Sequence, residues 1–130
     1  MAFKAYHTVE KSYVEHEIVR FDSVGLNAGN HFQLSTNVFI CPLHGIYGFS
    51  FSLYNKAGLA VGCNIKKEND LFVNVFSDNE ADSMNAASDF GTVECKKGER
   101  VYVELGTTSQ SPIQGHTRVS FTGFLIHRLN

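Results

Sequence analysis

An all-β sandwich or jelly roll is the fold class that this sequence predicts, and three observations carry it. Residues 45–54 alternate strictly, with Tyr47, Phe49, Phe51 and Leu53 on one face and Gly48, Ser50 and Ser52 on the other, the period-2 pattern of a strand with one buried face. Short apolar runs separated by polar turns recur along most of the chain, with no strand–helix–strand spacing. Eleven Phe, five Tyr and eleven Gly against two Pro and no Trp in 130 residues suit pleated, half-buried surfaces joined by tight turns.

Taken in order, residues 8–20 are the one stretch with a helical look. Val9, Tyr13, Val14 and Ile18 could share a helix face, but the stripe is thin and no good capping residue precedes it. Residues 37–41 hold Val38-Phe39-Ile40, an apolar run ended by Pro42. The 45–54 strand follows; its bare face of Gly and Ser suits a second surface lying close. Residues 59–65 place Leu59, Val61, Cys63 and Ile65 on one face, and residues 71–76 are short and apolar. Residues 92–95 lead into Lys96-Lys97-Gly98-Glu99, a polar hairpin turn with Gly where a positive φ is expected. Residues 100–105 turn Val101, Val103 and Leu105 inward. Residues 119–129 carry Phe121, Phe124, Leu125 and Ile126, with apolar side chains on both faces as in a doubly buried central strand. No internal repeat, linker or low-complexity tract interrupts residues 1–130, so one domain is expected.

Composition excludes several function classes. The formal net charge is −2 and the longest basic runs are Lys66-Lys67 and Lys96-Lys97, which argues against non-specific nucleic-acid binding. No apolar stretch approaches the roughly 20 residues of a membrane span, so no membrane insertion is expected. The first residues lack the apolar region of a secretory signal, which fits either a cytosolic chain or a mature form beginning at Met1. The cysteines Cys41, Cys63 and Cys95 form no C-x-x-C pair, and their odd number leaves at least one thiol unpaired or paired between chains. The six histidines, His7, His16, His31, His44, His116 and His127, show no metal-binding spacing. No nucleophile elbow or paired-carboxylate motif is present, so an enzyme is not expected. The acidic stretches Asn69-Asp70 and Asp78-Asn79-Glu80-Ala81-Asp82 could hold calcium through oxygen ligands but lack the EF-hand order; a solvated loop is the plainer reading.

One spacing is far more specific. Phe21, Asn27, Phe32, Phe39, Gly45, Tyr47, Phe49 and Phe51 form eight fixed positions over 31 residues. This pattern resembles, at every position, the signature of complement C1q globular-head domains. Thr92-Val93-x-Cys95-x-x-Gly98-Glu99-x-Val101 is similar to that family's late hairpin, usually written with Gly-Asp. Residues 120–126, with Phe121 and Gly123, resemble its C-terminal strand. The likeness runs from Phe3 to Leu129. It implies a ten-stranded jelly roll related to the tumour-necrosis-factor fold, packed as a homotrimer, secreted, and built for recognition. Collagen-like Gly-x-y repeats are absent, as in the stand-alone heads common in molluscs. The resemblance also implies a disulfide between Cys41 and Cys63 on neighbouring strands, and it leaves Cys95, at a position usually aliphatic, as a small buried hydrophobe. Some members of the family bind calcium near the trimer apex; no other cofactor is implied.

Loop parity points to the site. With strands counted from residue 37, the loops after Cys41, Ile65 and Leu105 share one end: Pro42-Leu43-His44, a long excursion over residues 66–91, and residues 106–118. The last is rich in donors, among them Ser109, Gln114, His116 and Arg118, which suit a polyol or a sugar carboxylate. The family topology places this end away from the chain termini. Tyr54 and Asn55, at the opposite end, are the second candidate, Tyr54 by stacking on a sugar ring. The resemblance then implies a lectin-like innate-immune protein that binds glycans on microbial or host surfaces, with sialic acid as one target. A cytokine-like trimeric ligand for a protein receptor is the alternative, and a storage or scaffold protein a third.

Overall fold

A computed structural model describes residues 1–55, 59–78, 85–106 and 112–130, apart from the side chains of Asp78, Asn85 and Thr117. These residues form ten strands: β1 (Ala2–His7), β2 (Ser23–Ala28), β3 (Phe32–Gln33), β4 (Val38–Ile40), β5 (Gly45–Asn55), β6 (Ala60–Lys67), β7 (Asp70–Asp78), β8 (Asn85–Cys95), β9 (Arg100–Leu105) and β10 (His116–Arg128). They pair into two antiparallel five-stranded sheets, ordered β2-β1-β10-β5-β8 and β3-β4-β9-β6-β7. The jelly roll read from the sequence is therefore present.

Phenylalanine rings join the two sheets. Phe3 of β1 stacks on Phe32 and Phe39 of the opposite sheet, with centroids 4.9 and 5.2 Å away, and meets Phe121 edge-on at 5.0 Å. Phe49 packs on Phe39 and Phe121 in turn, and Phe21 on Phe121. All of these rings are at most 3 % exposed. Offset and edge-on arrangements add ring electrostatics to the area they bury. Gly123 is what lets them close: a Cβ there would lie 2.6 Å from ring carbons of both Phe3 and Phe49.

The signature Asn27 has a structural task. Its Nδ2 donates to the Phe32 carbonyl at 3.0 Å and its Oδ1 accepts from the Phe32 N–H at 3.1 Å. The side chain thus closes the β2–β3 turn, in which Gly29 and Asn30 take positive φ values of 88° and 59°.

Residues 8–20 form no helix, as the thin stripe and missing cap indicate; two isolated bridges, Lys11 to Ile113 and Ile18 to Glu104, tie this segment to the main body. The backbone of residues 16–19 bonds to Val103 and Leu105, continuing the edge of β9 beyond β4. The excursion over residues 66–91 is not one loop: it contains β7 and most of β8. Because β7 is itself a strand, the loops after Cys41 and Ile65 share an end as expected, but Gly106 does not lie with them. Residues 41–44, the turn at 68–69 and the turn at 96–99 share one end. Both termini lie there too, with Leu125 N–H bonded to the Met1 carbonyl and Leu129 N–H to that of His44. Residues 112–116 lie at the opposite end, with the His116 ring beside Tyr54.

The Cys41–Cys63 bond is corrected as well: all three cysteines are free thiols. Ile40 pairs with Arg100, whereas Cys63 pairs with Leu105. Five residues along β9 separate the two levels by about 16 Å, far beyond the ~7 Å Cα limit of a disulfide. Cys63 is fully buried between Val61 and Ile65, and burial pushes its thiol up. The small-hydrophobe reading of Cys95 holds for its burial, but its thiol also neighbours that of Cys41. Nor is β10 covered on both faces: Phe124 and Ile126 are 40 % and 48 % exposed.

A buried relay closes the far end. His7 Nδ1 donates to the Gln114 carbonyl at 3.0 Å, and its Nε2 accepts from the Tyr13 hydroxyl at 2.8 Å. The same hydroxyl accepts from the Arg20 N–H at 3.1 Å. Burial lowers the His7 pKa from 6.5, outweighing the Gln114 carbonyl, and raises that of Tyr13 to about 12.

Phe49→Ala is expected to destabilise by about 3–5 kcal/mol in chemical denaturation through cavity formation, and Gly123→Ala by about 1–3 kcal/mol through overpacking; a change below about 1 kcal/mol for Phe49→Ala would remove Phe49 from the core. Below pH 6.5 the unfolded chain takes up a proton that folded His7 resists, so stability present above that pH is lost as pH falls toward the depressed folded value. His7→Gln should make this acid limb shallower in urea titrations at stepped pH. An unchanged slope would show that another group carries it.

Candidate functional site

The outer face of the β2-β1-β10-β5-β8 sheet is the obverse of the phenylalanine core. Alternation sends Phe49, Phe51 and Leu53 inward and Ser50, Ser52 and Tyr54 outward. The register then sets Ser52 between Ser120 of β10 and Ser88 of β8, a row of three serines across three strands. Ser52 Oγ donates to the Arg118 carbonyl and lies 3.1 Å from Ser120 Oγ.

This row floors a cavity of about 430 Å³. Lys4 of β1 stands at one side and Arg118 of β10 at another, with Leu53, Ala86 and Ala87 completing the lining. None of the described lining residues is acidic. The Arg118 guanidinium lies over the Tyr54 ring, 5.4 Å from its centroid, and the His116 ring is 5.0 Å from the same centroid. His116 Nδ1 accepts from the Arg118 N–H at 3.0 Å, so the imidazole holds the start of β10. Lys4 Nζ sits 5.6 Å from the Tyr6 centroid. Two cations held on aromatic faces, with hydroxyls between them, can receive an anionic, hydroxyl-bearing ligand.

Three of the residues chosen from the sequence meet here: Tyr54, His116 and Arg118, drawn from what the sequence reading treated as opposite ends. Asn55 is not part of it. It is 1 % exposed, its Nδ2 donates to the Leu59 carbonyl, and its Oδ1 accepts from Ser77. Gln114 is also buried, its carbonyl held by His7, and its Nε2 has no hydrogen-bond partner among the described residues. Ser109 lies outside the described residues, as does the core of the acidic stretch, residues 79–82. Among the described residues no three His, Cys, Asp or Glu side chains cluster to hold a metal ion.

Sequence reading missed Lys4, Ser88 and Ser120. The bare Gly/Ser face of β5 was the available signal; which strands flank β5 was not.

The other half of the same face is apolar. The rings of Phe90 and Phe124 stack at 6.1 Å beside Ile126, above Gly48, where a Cβ would come within 2.5 Å of Phe90 Cζ. Phe90, Phe124 and Ile126 are all at least 40 % exposed.

Residues 2–126 match the C1q domain family. The chain belongs to that family. Among curated proteins, this C1q domain is 27 % identical over 136 aligned residues to the heavy metal-binding protein HIP of Mytilus edulis, covering 96 % of the chain and 63 % of the relative. It is 30 % identical to the complement C1q tumor necrosis factor-related protein 2 of Mus musculus, covering 92 % of the chain and 41 % of the relative. The domain thus spans less than two thirds of these relatives' length. Among solved structures, the globular domain of zebrafish complement 1qA superposes with a TM-score of 0.81 at 21 % identity, with 98 % of each chain covered. The Eiger TNF of S. frugiperda superposes at 0.77 with 11 % identity, covering all of this chain and 92 % of the other. These likenesses show a fold shared by C1q and tumour-necrosis-factor proteins.

Proposed function

We propose that this C1q domain is a carbohydrate-binding recognition module without enzymatic activity, working as a secreted homotrimer in innate immunity. Its target class is acidic glycans, sialic acid among them. The observation that carries this reading is the cavity lined by Lys4, Arg118 and the serine row, with no acidic residue among its described lining and with Arg118 resting on the Tyr54 ring. A sugar carboxylate would pair with Arg118, its hydroxyls with Ser52, Ser88 and Ser120, and an apolar sugar face with Tyr54. Each such site is weak alone; three on one trimer raise avidity by roughly 10²–10⁴ without any new contact.

The apolar half of the face supports the trimer. Phe90, Phe124, Ile126 and the bare Gly48 form a surface that a neighbouring subunit would cover, with the aromatic content that stable interfaces favour. The polar half would then lie at the mouth of the seam. The likeness to tumour-necrosis-factor folds supports a second reading, in which grooves between subunits engage a protein receptor. The Mytilus relative's name raises metal binding, so calcium belongs in the test.

A glycan array probed with and without calcium, with hits competed by free monosaccharide, tests the lectin reading. Sialylated or other acidic hits are expected, and Arg118→Ala should weaken them at least tenfold, the scale of one charge-assisted contact. A blank array with the trimer intact would move the assignment to the protein-receptor reading. Light scattering should give three times the chain mass at micromolar concentration, and Phe90→Asp should yield monomers. A wild-type monomer under those conditions would refute the assembly.

A further inference from the structure

We propose that Cys41 and Cys95 are a disulfide-forming pair that fastens the terminus-bearing end of the domain, with Cys63 left as a permanent thiol. Backbone pairing brings the two cysteines together. Cys95 ends β8 opposite Gly45, four residues after Cys41. The 96–99 turn folds back over Cys41, whose N–H bonds to the Glu99 carbonyl at 2.9 Å and whose carbonyl accepts from the Gly98 N–H at 2.8 Å. Both side chains are buried at that end, at 1 % and 0 % exposure.

The two thiols are neighbours, each perturbing the other's protonation, so bonding requires that the sulfurs close to about 2.05 Å. Cys41 Sγ also lies 3.9 Å from the Leu43 carbonyl, to which the Tyr47 hydroxyl donates at 2.7 Å. The neighbouring Cys95 thiol lowers the Cys41 pKa, while Cys41, then burial, raises that of Cys95. These directions favour Cys41 as the thiolate that attacks first.

The oxidant is a small disulfide such as oxidised glutathione, acting while the 96–99 turn is open. The Cys41 thiolate attacks one glutathione sulfur and releases the first glutathione thiolate. Cys95, losing its proton to solvent, then attacks Cys41 Sγ and releases the second. The balance is two protein thiols and one glutathione disulfide giving one protein disulfide and two glutathiones. The bond closes a chain segment from residue 41 to residue 95 and ties β8 to the β4–β5 connection.

The test is to refold the full chain in a glutathione redox buffer, alkylate the remaining thiols under denaturing conditions, and map the unreduced peptides. The expected product has lost two hydrogens, carries one alkyl group on Cys63, and yields a peptide joining Cys41 to Cys95. Its unfolding midpoint should exceed that of the reduced protein by on the order of 10 °C. Cys95→Ala, and separately Cys41→Ala, should each abolish the mass change and make the midpoint insensitive to reductant. Where a variant fails to fold, the wild-type peptide map decides alone. A peptide linking Cys63 to either partner, or three alkylated cysteines after folding in the oxidised buffer, would overturn the assignment.

Discussion

The contact between Phe3, Phe49 and Phe121 over the bare Cα of Gly123 governs much of what else the domain does. Those rings come from β1, β5 and β10, three adjacent strands of one sheet, and they reach Phe32 and Phe39 of the other. Register is the consequence. A slip of one residue in β5 would turn Phe49 and Phe51 to the outside and bury Ser50 and Ser52 without partners, a costly exchange on both faces. The outward serine row is thus fixed by the inward phenylalanines. The candidate site needs no separate device to hold its floor in place.

That coupling explains what could be read in the sequence. The core strand β5 carries its own alternation, and the Phe-Asn-Phe-Phe spacing marks the residues that build the ring cluster and close the β2–β3 turn. Strands without that chemistry were silent. β1 turns Phe3, Ala5 and His7 inward, and two of these three do not register as apolar strand residues. β8 begins with Asn85-Ala86-Ala87-Ser88-Asp89, small or polar on both faces, because its outer side lines an open cavity and its edge is unpaired in this sheet. With β7 left out of the strand count, the loop after Leu105 was grouped with those after Cys41 and Ile65, and Tyr54 and Arg118 fell at opposite ends. In the fold they touch.

The failed Cys41–Cys63 pairing has a related cause. A resemblance aligns positions along the chain, but a disulfide depends on levels along the strands. The ladder from β4 through β9 to β6 sets those levels five residues apart. What the sequence could not state was that the hairpin turn at 96–99 folds onto Cys41 and brings Cys95 with it. Only the turn's hydrogen bonds to the Cys41 backbone make that neighbour visible.

The outer face divides its labour by the same alternation. Toward the terminus-bearing end, large apolar side chains rise around Gly48, and water is a poor permanent neighbour for stacked rings such as Phe90 and Phe124. Toward the other end the side chains shorten to serine, and the cations stand at the edges. Arg118 rests on Tyr54 instead of on a carboxylate, and forms no ion pair with the described residues. An aromatic face orients a guanidinium without neutralising it, so its charge stays available to a partner that brings its own. Covering the apolar half with another subunit would lower the local dielectric at the rim of the polar half, and a charge pair formed there would gain strength from the assembly beside it. Assembly and recognition would then be two uses of one sheet face, both set by which side of β5 its phenylalanines occupy.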